Sequence, residues 1–158
     1  MRTDNRNVKN SIVSIYFLLL VLAVLLATVF RSYEVFSKVS IYLFLGLLVI
    51  FVFVYFMAKY FEYDSDGVKI VITNRGLILG DLINYRQKQV EFAKRKLVSY
   101  RVRSYVIYKS LIITLRHSDG KTHDTHFNVT LLKQKKLKYV KQSLRRIIKE
   151  NIKHKPGE

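Results

Sequence analysis

Three histidines and two aspartates crowd one short segment, "RHSDGKTHDTHFNV": His117, Asp119, His123, Asp124 and His126. Imidazoles and carboxylates are metal ligands, and an imidazole changes its charge near neutral pH. The spacing argues against chelation. Side chains alternate across a strand, so His123 and His126, three apart, point to opposite faces. They read more simply as polar side chains near a hairpin tip, where protonation below neutral pH adds positive charge. Asp64 and Asp66 form the other carboxylate pair, in "YDSDGVKI". Asp66 precedes Gly67 as a turn residue does. No nucleophile or metal cluster accompanies the pair, so acid–base catalysis is not expected. "NRG" and "DG" are not phosphate-binding glycine loops, because neither G-x-G-x-x-G nor a Walker pattern is present. The chain has no cysteine, which excludes disulfides, thiolate metal sites and cysteine nucleophiles. The expectation is a protein that is not an enzyme, with no metal, no cofactor and no small-molecule substrate.

What remains as chemistry is positive charge. The formal net charge is +17, and from Lys59 onward 23 Lys and Arg stand against 9 Asp and Glu. Two groups are candidates for contact with an anionic surface or partner. One is the run Lys94, Arg95 and Lys96. The other is Lys133, Lys135, Lys138, Lys141, Arg145 and Lys149 in "TLLKQKKLKYVKQSLRRIIKENI". Such a face suits anionic lipid headgroups, an acidic protein segment or nucleic acid. Charge is the footprint that nucleic-acid binding requires, but no nucleic-acid motif accompanies it.

The elements that carry this charge follow two apolar runs. Ile12–Phe30 is 19 residues without a charge, and Val39–Ala58 is 20 more. A span needs about 20 apolar residues to cross a hydrocarbon core of about 30 Å. Phe30, Arg31 and Ser32 do not form a small-residue cleavage site, so the first run is read as a span rather than a removed signal. The division expected is an N-terminal arm over 1–11, a first span over 12–30, a short external loop over 31–38 ("RSYEVFSK") and a second span over 39–60. A soluble domain over 61–152 and a basic tail over 153–158 complete it. The loop is a turn between antiparallel helices, which puts both termini on one side. Arg2, Arg6 and Lys9 before the spans and the basic segment from Lys59 after them place that side in the cytoplasm. Tyr33, Tyr55 and Tyr60 fall where phenols favour the membrane interface. No charged residue or histidine lies inside either span, so an ion or proton path through this chain alone is not expected. Gly46 permits close helix packing.

Past Phe61 the period shortens to that of strands. Asp66-Gly67 and Asn74-Arg75-Gly76 bracket the run Val68–Thr73. "QKQVEF" follows, and then "KLVSYRVRSYVIY", where Leu97, Ser99, Arg101 and Arg103 alternate with Val98, Tyr100, Val102 and Ser104. The Asp119-Gly120 turn is flanked by Leu111, Ile113 and Leu115 on one arm and by Phe127 and Val129 on the other. Leu137, Val140, Leu144, Ile147 and Ile148, with Leu132 leading in, recur every three or four residues. That period marks an amphipathic helix, with Thr130 as its expected N-cap.

About seven short antiparallel strands and one closing helix resemble the pleckstrin-homology (PH-like) superfold. Two spans followed at once by "YFEYDSDGVKIVITNRGLI…FAKRKLVSYRV…SLIITL…LLKQKKLKYVKQSL" resemble bacterial inner-membrane proteins with a cytoplasmic PH-like domain. The resemblance covers most of the chain as architecture and brings no catalytic motif. It implies a membrane α-helical hairpin plus an α+β PH-like domain, a partly open barrel plugged by its C-terminal helix. It also implies a scaffold that binds lipid headgroups or protein segments. Lipid-binding members carry basic residues in the loop joining the first two strands. Here that loop, "YDSDG", is acidic, so phosphoinositide capture in that mode is not expected. The function expected is a non-enzymatic interaction or scaffold module at the membrane surface. The alternatives are an accessory subunit of a transport or envelope-assembly complex and a membrane-tethered nucleic-acid binder.

Overall fold

The computed structural model describes residues 1–31, 37–77 and 88–153. The chain does not begin as a helix or a loose arm. Arg2–Asp4 is a strand, β1, and helix α1 (Arg6–Arg31) starts two residues later. Asp4 and Asn5 start that helix: Asp4 Oδ1 accepts the Arg6 N–H at 3.1 Å and the Asn5 carbonyl accepts the Val8 N–H at 3.0 Å. These contacts satisfy amides that have no partner inside a first helical turn. Helix α2 (Ser37–Met57) returns, and strand β2 (Lys59–Asp64) begins after Ala58 alone. The second span, bounded at 39–60 from hydropathy, therefore ends earlier as a helix. Lys59 and Tyr60 belong to the sheet. Of the connecting loop, residues 32–36, Tyr33 among them, lie outside the described residues, as does most of the tail.

Arg6–Thr28 is long and apolar enough to cross a membrane, and among the described residues it is the one helix that is. The described apolar stretch of α2, Tyr42–Met57, is shorter. The two helices pack together through Tyr16, whose hydroxyl donates to the Phe51 carbonyl at 2.9 Å. The two rings meet edge to face at 4.6 Å. Tyr16 thus satisfies its polar end between the helices. Away from this seam apolar side chains face outward: Phe17 and Leu18 are each 68% exposed and Tyr42 is 76% exposed. A helix apolar on every side needs a cover of protein or lipid.

The rest of the chain is α+β. Strands β3 (Lys69–Gly76), β4 (Lys88–Ala93), β5 (Leu97–Ser104), β6 (Lys109–Arg116) and β7 (Thr122–Asn128) precede helix α3 (Gln134–Lys153). They form two antiparallel sheets, ordered β1-β2-β3-β4 and β5-β6-β7. One of the seven strands comes from ahead of the helices, in the segment read as an N-terminal arm. Asp64 and Asp66 serve the β2–β3 turn, where Asp64 Oδ1 accepts the Asp66 N–H at 3.0 Å. In the β6–β7 turn Asp119 Oδ1 accepts the Lys121 N–H at 3.1 Å. Gly120 there has φ of 81°, a conformation that favours glycine. A bulge between Leu97 and Ser99 shifts the β5 register. It lets Leu97 enter the core although its parity matches the exposed Ser99, Arg101 and Arg103. The sequence run to Tyr108 overshoots the strand, because β5 stops at Ser104 and residues 105–108 turn back.

The core lies between the sheets and under α3. Phe61, Tyr63, Ile70, Ile72, Leu111, Ile113 and Phe127 meet Leu137, Val140, Leu144 and Ile147 of the helix. Burying each such side chain contributes about 1.5–3 kcal/mol, which is what holds a strongly basic helix against the sheets. Thr130 does not cap α3. Its hydroxyl oxygen accepts the Lys109 N–H at 3.0 Å, fastening the start of β6. A turn closed by the Leu132 N–H on the Val129 carbonyl intervenes before the helix.

A second, smaller core joins the helices to the sheets. Ala58, Tyr60 and Leu77 are buried with Ile12 of α1, Val54 of α2 and Leu131 packed on them. The register then defines two ends. Lys59↔Gly76 and Asn74↔Lys88 lie at the helix-joined end. Asn74 Nδ2 bonds the Tyr60 carbonyl at 3.3 Å and the Asn128 carbonyl at 2.8 Å, which brings Ser110↔Asn128 and the β5–β6 turn to the same end. The far end holds the β2–β3 turn, Lys69↔Ala93 and Arg116↔Thr122. With about 3.3 Å per residue, the six residues of β2 separate the two ends by roughly 20 Å.

Candidate anion-facing surface

Helix α3 carries eight Lys and Arg and one Glu. Its apolar residues fill one stripe, so the cations are left for the others. At 3.6 residues per turn, Lys135, Lys138, Arg145 and Lys149 line up on the face opposite the core, and all four are exposed. Lys141 sits at the border of this face, half-buried. Lys133 precedes the helix, is exposed, and supplies the carbonyl that accepts the Leu137 N–H at 2.9 Å. Two shallow grooves run along the stripe: one beside Lys135, Lys138 and Lys141, the other beside Arg145, Arg146 and Lys149.

Lys94, Arg95 and Lys96 form a 3-10 turn between β4 and β5 at the far end. Arg95 and Lys96 are exposed and Lys94 is half-buried. The last turn of α3 holds this run in place. Asn151 Nδ2 donates to the Lys94 carbonyl at 2.8 Å and to the Leu97 carbonyl at 3.0 Å. The last turn of α3 thus packs on the Lys94–Lys96 turn through Asn151, which lies on the core-facing side of the helix, about 160° around from Lys135. Sequence reasoning missed Arg116, which shares a cleft of about 700 Å³ with Arg95, floored by Leu97, Val98, Ile148 and Ile152. No local spacing could have found it, since the pairing of β5 with β6 brings it there. Arg146 was also missed. It is bonded to Glu150 at 2.9 Å, one helical turn on.

The described acids explain why this stripe stays uncompensated. Glu150, on α3 itself, is held by Arg146, and others are engaged away from the helix. Glu62 pairs with Arg2 at 2.6 Å and accepts the Tyr60 hydroxyl at 3.0 Å. Glu91 pairs with Lys69 at 2.8 Å, and Asp124 accepts the Thr114 hydroxyl at 2.7 Å. Asp4 accepts Lys136 Nζ through its carbonyl oxygen at 2.6 Å and its carboxylate at 3.4 Å. Lys136 thus ties α3 to β1. Among the described residues, Lys135, Lys138, Lys141, Arg145 and Lys149 have no carboxylate partner.

Titration shifts follow the same pairing. The Glu62 hydrogen bond and charge push Arg2 up, and Glu91 does the same for Lys69. Burial, then the Glu62 hydrogen bond and charge, push the Tyr60 phenol up to about 12, although Arg75 over its ring at 4.7 Å opposes this. Burial also raises Tyr63, whose hydroxyl lies 2.9 Å from Ser143 Oγ. None of these groups lies on the α3 stripe. Among the described residues, those of the histidine-rich hairpin included, no group of three His, Cys, Asp or Glu is placed to hold an ion.

No family model matches the chain, and no curated protein matches it.

Proposed function

We propose that this is a non-enzymatic integral membrane protein of two spans with a PH-like cytoplasmic domain, and that the domain binds an acidic protein segment on its basic α3 face. The observation that carries this reading is the row Lys135, Lys138, Lys141, Arg145 and Lys149 on α3, which has no carboxylate partner among the described residues. Twenty residues of helix are about 30 Å long. The stripe therefore extends well past the Debye length of about 8 Å measured from the helix-joined end. Its far half serves a partner in solution better than a leaflet. The N-terminal half favours a second reading for Lys133 and Lys135 alone. They follow Leu131, which packs, as Ile12 and Val54 do, on the cluster of Ala58, Tyr60 and Leu77. There each cation contributes about 1 kcal/mol of attraction to anionic headgroups.

The test uses the whole chain in neutral-lipid nanodiscs, because a fragment starting at Glu62 loses β1 and half of β2. Fluorescent poly-glutamate is the acidic probe, and duplex DNA and anionic vesicles are the comparisons. Saturable binding of the peptide at about 0.15 M salt, lost with Lys138→Glu, Arg145→Glu and Lys149→Glu combined, supports the reading. Binding that survives the reversals overturns it. Tighter binding of DNA than of peptide moves the assignment to a membrane-tethered nucleic-acid binder.

A further inference from the structure

The β5–β6 turn, Tyr105–Tyr108, exposes its apolar residues at the end of the sheets where the helices join. Val106 is 103% exposed, and Tyr105 and Ile107 are each 56% exposed. The turn is closed rather than loose. The Tyr105 N–H donates to the Tyr108 carbonyl at 2.7 Å, and the two rings lie tilted at 6.3 Å. Its position follows from register: Ser104↔Lys109 ends the ladder, Lys109 is fastened to Thr130, and Ser110 pairs with Asn128, which Asn74 ties to Tyr60. Tyr60 in turn packs with Ala58 and Val54, the end of α2.

We propose that this tip dips into the interfacial layer of the bilayer that α1 and α2 cross, as a third point of attachment that fixes the tilt of the domain. The inference rests on the reading of the chain as a membrane protein. The chemistry suits that layer. Val106 and Ile107 are apolar at the apex, Tyr105 and Tyr108 flank them with phenols that favour the headgroup level, and Arg103 and Lys109 follow on either side. A protein partner fits less well, because a stable interface buries about 1,000 Å² or more in total and the tip is a single turn. In water, Val106 with no cover gains nothing from its exposure.

The chain has no tryptophan, so one introduced residue is a clean reporter. Val106→Trp, with its side chain fully outside the fold, is compared in nanodiscs with Leu20→Trp in α1 and Val68→Trp. Val68 is also apolar, 83% exposed, and belongs to the far-end turn. The expected result is blue-shifted emission and quenching by brominated lipid for Val106→Trp and Leu20→Trp, with red emission and no quenching for Val68→Trp. Quenching at Leu20→Trp alone overturns the tip contact while leaving the membrane reading intact. No quenching at Leu20→Trp or Val106→Trp overturns both. Quenching at all three also overturns the proposal, because the domain then lies flat instead of touching by its tip.

Discussion

Asn5 and Phe61 hold each other by two hydrogen bonds: the Asn5 N–H donates to the Phe61 carbonyl at 3.2 Å, and the Phe61 N–H donates to Asn5 Oδ1 at 2.9 Å. Asn5 Nδ2 also donates to the Lys59 carbonyl at 3.0 Å. One side chain, 2% exposed, thus locks the strand entering α1 to the strand leaving α2. The helices and the sheet are coupled at both crossings, and no linker separates them.

Asn5→Ala leaves the Phe61 N–H buried without its acceptor. The cost of such a group is about 1–3 kcal/mol. Hydrogen exchange on the full chain in nanodiscs is expected to show lost protection at Thr3 and Phe61 first, with the β6–β7 amides unchanged. Unchanged protection at Phe61 means that the pairing of β1 with β2 does not depend on Asn5.

Tyr60 gives the fold an alkaline limit. Its phenol ionises at about 12 in the folded protein, against about 10 in an unfolded chain. The native state therefore holds this proton more tightly. The stability it contributes is full below pH 10 and is lost as pH rises toward 12. Denaturant midpoints measured between pH 9 and 12 are expected to fall for the wild type and to fall less for Tyr60→Phe. Tyr63, shifted up by burial, acts in the same direction and remains in the variant. Equal slopes for the two proteins place the alkaline limit elsewhere.

Much of the domain was legible because its local signals are strong. Asp66-Gly67 and Asp119-Gly120 mark real turns, and Leu137, Val140, Leu144 and Ile147 are the buried face of α3. What was missed is non-local. Arg2–Asp4 has no strand pattern of its own and becomes β1 only because β2 offers an open edge. Thr130 has the chemistry of a cap, but it is spent on Lys109. The bulge after Leu97 moves a side chain across the sheet without leaving a mark in the alternation. For the candidate surface, the cations could be read from helical spacing. The packing of the Lys94–Lys96 turn on α3 depends on Asn151, and that bond joins residues far apart in sequence.

Among the described glycines, Gly120, in the β6–β7 turn at the far end, is the one with positive φ. At φ of 81° with open space around it, an added side chain meets no clash but does meet the left-handed penalty of about 1–2 kcal/mol. Gly120→Val is expected to lower the unfolding free energy by that amount, and Gly120→Asn by less, since asparagine tolerates this region. Equal effects of the two variants mean that the turn rearranges.

Two lysines of α3 separate charge that binds from charge that folds. Lys138 is exposed and unpaired among the described residues, whereas Lys136 is half-buried on Asp4. Lys138→Glu, combined with Arg145→Glu and Lys149→Glu, changes only solvated side chains, so stability is expected to stay within about 0.5 kcal/mol. Each exposed ion pair contributes about 0.2–1 kcal/mol. Three reversals that turn attraction into repulsion are then expected to weaken acidic-peptide binding at least about tenfold. Lys136→Glu sets a carboxylate against Asp4 and is expected to do the opposite, lowering the unfolding midpoint with little change in peptide affinity per folded molecule. Parallel titrations and melts on the same nanodisc preparations measure both quantities. Lys136→Glu changes the charge by −2 and the triple reversal by −6, so if it weakens binding by about a third as much in free energy, affinity follows net charge alone and the face has no geometry of its own.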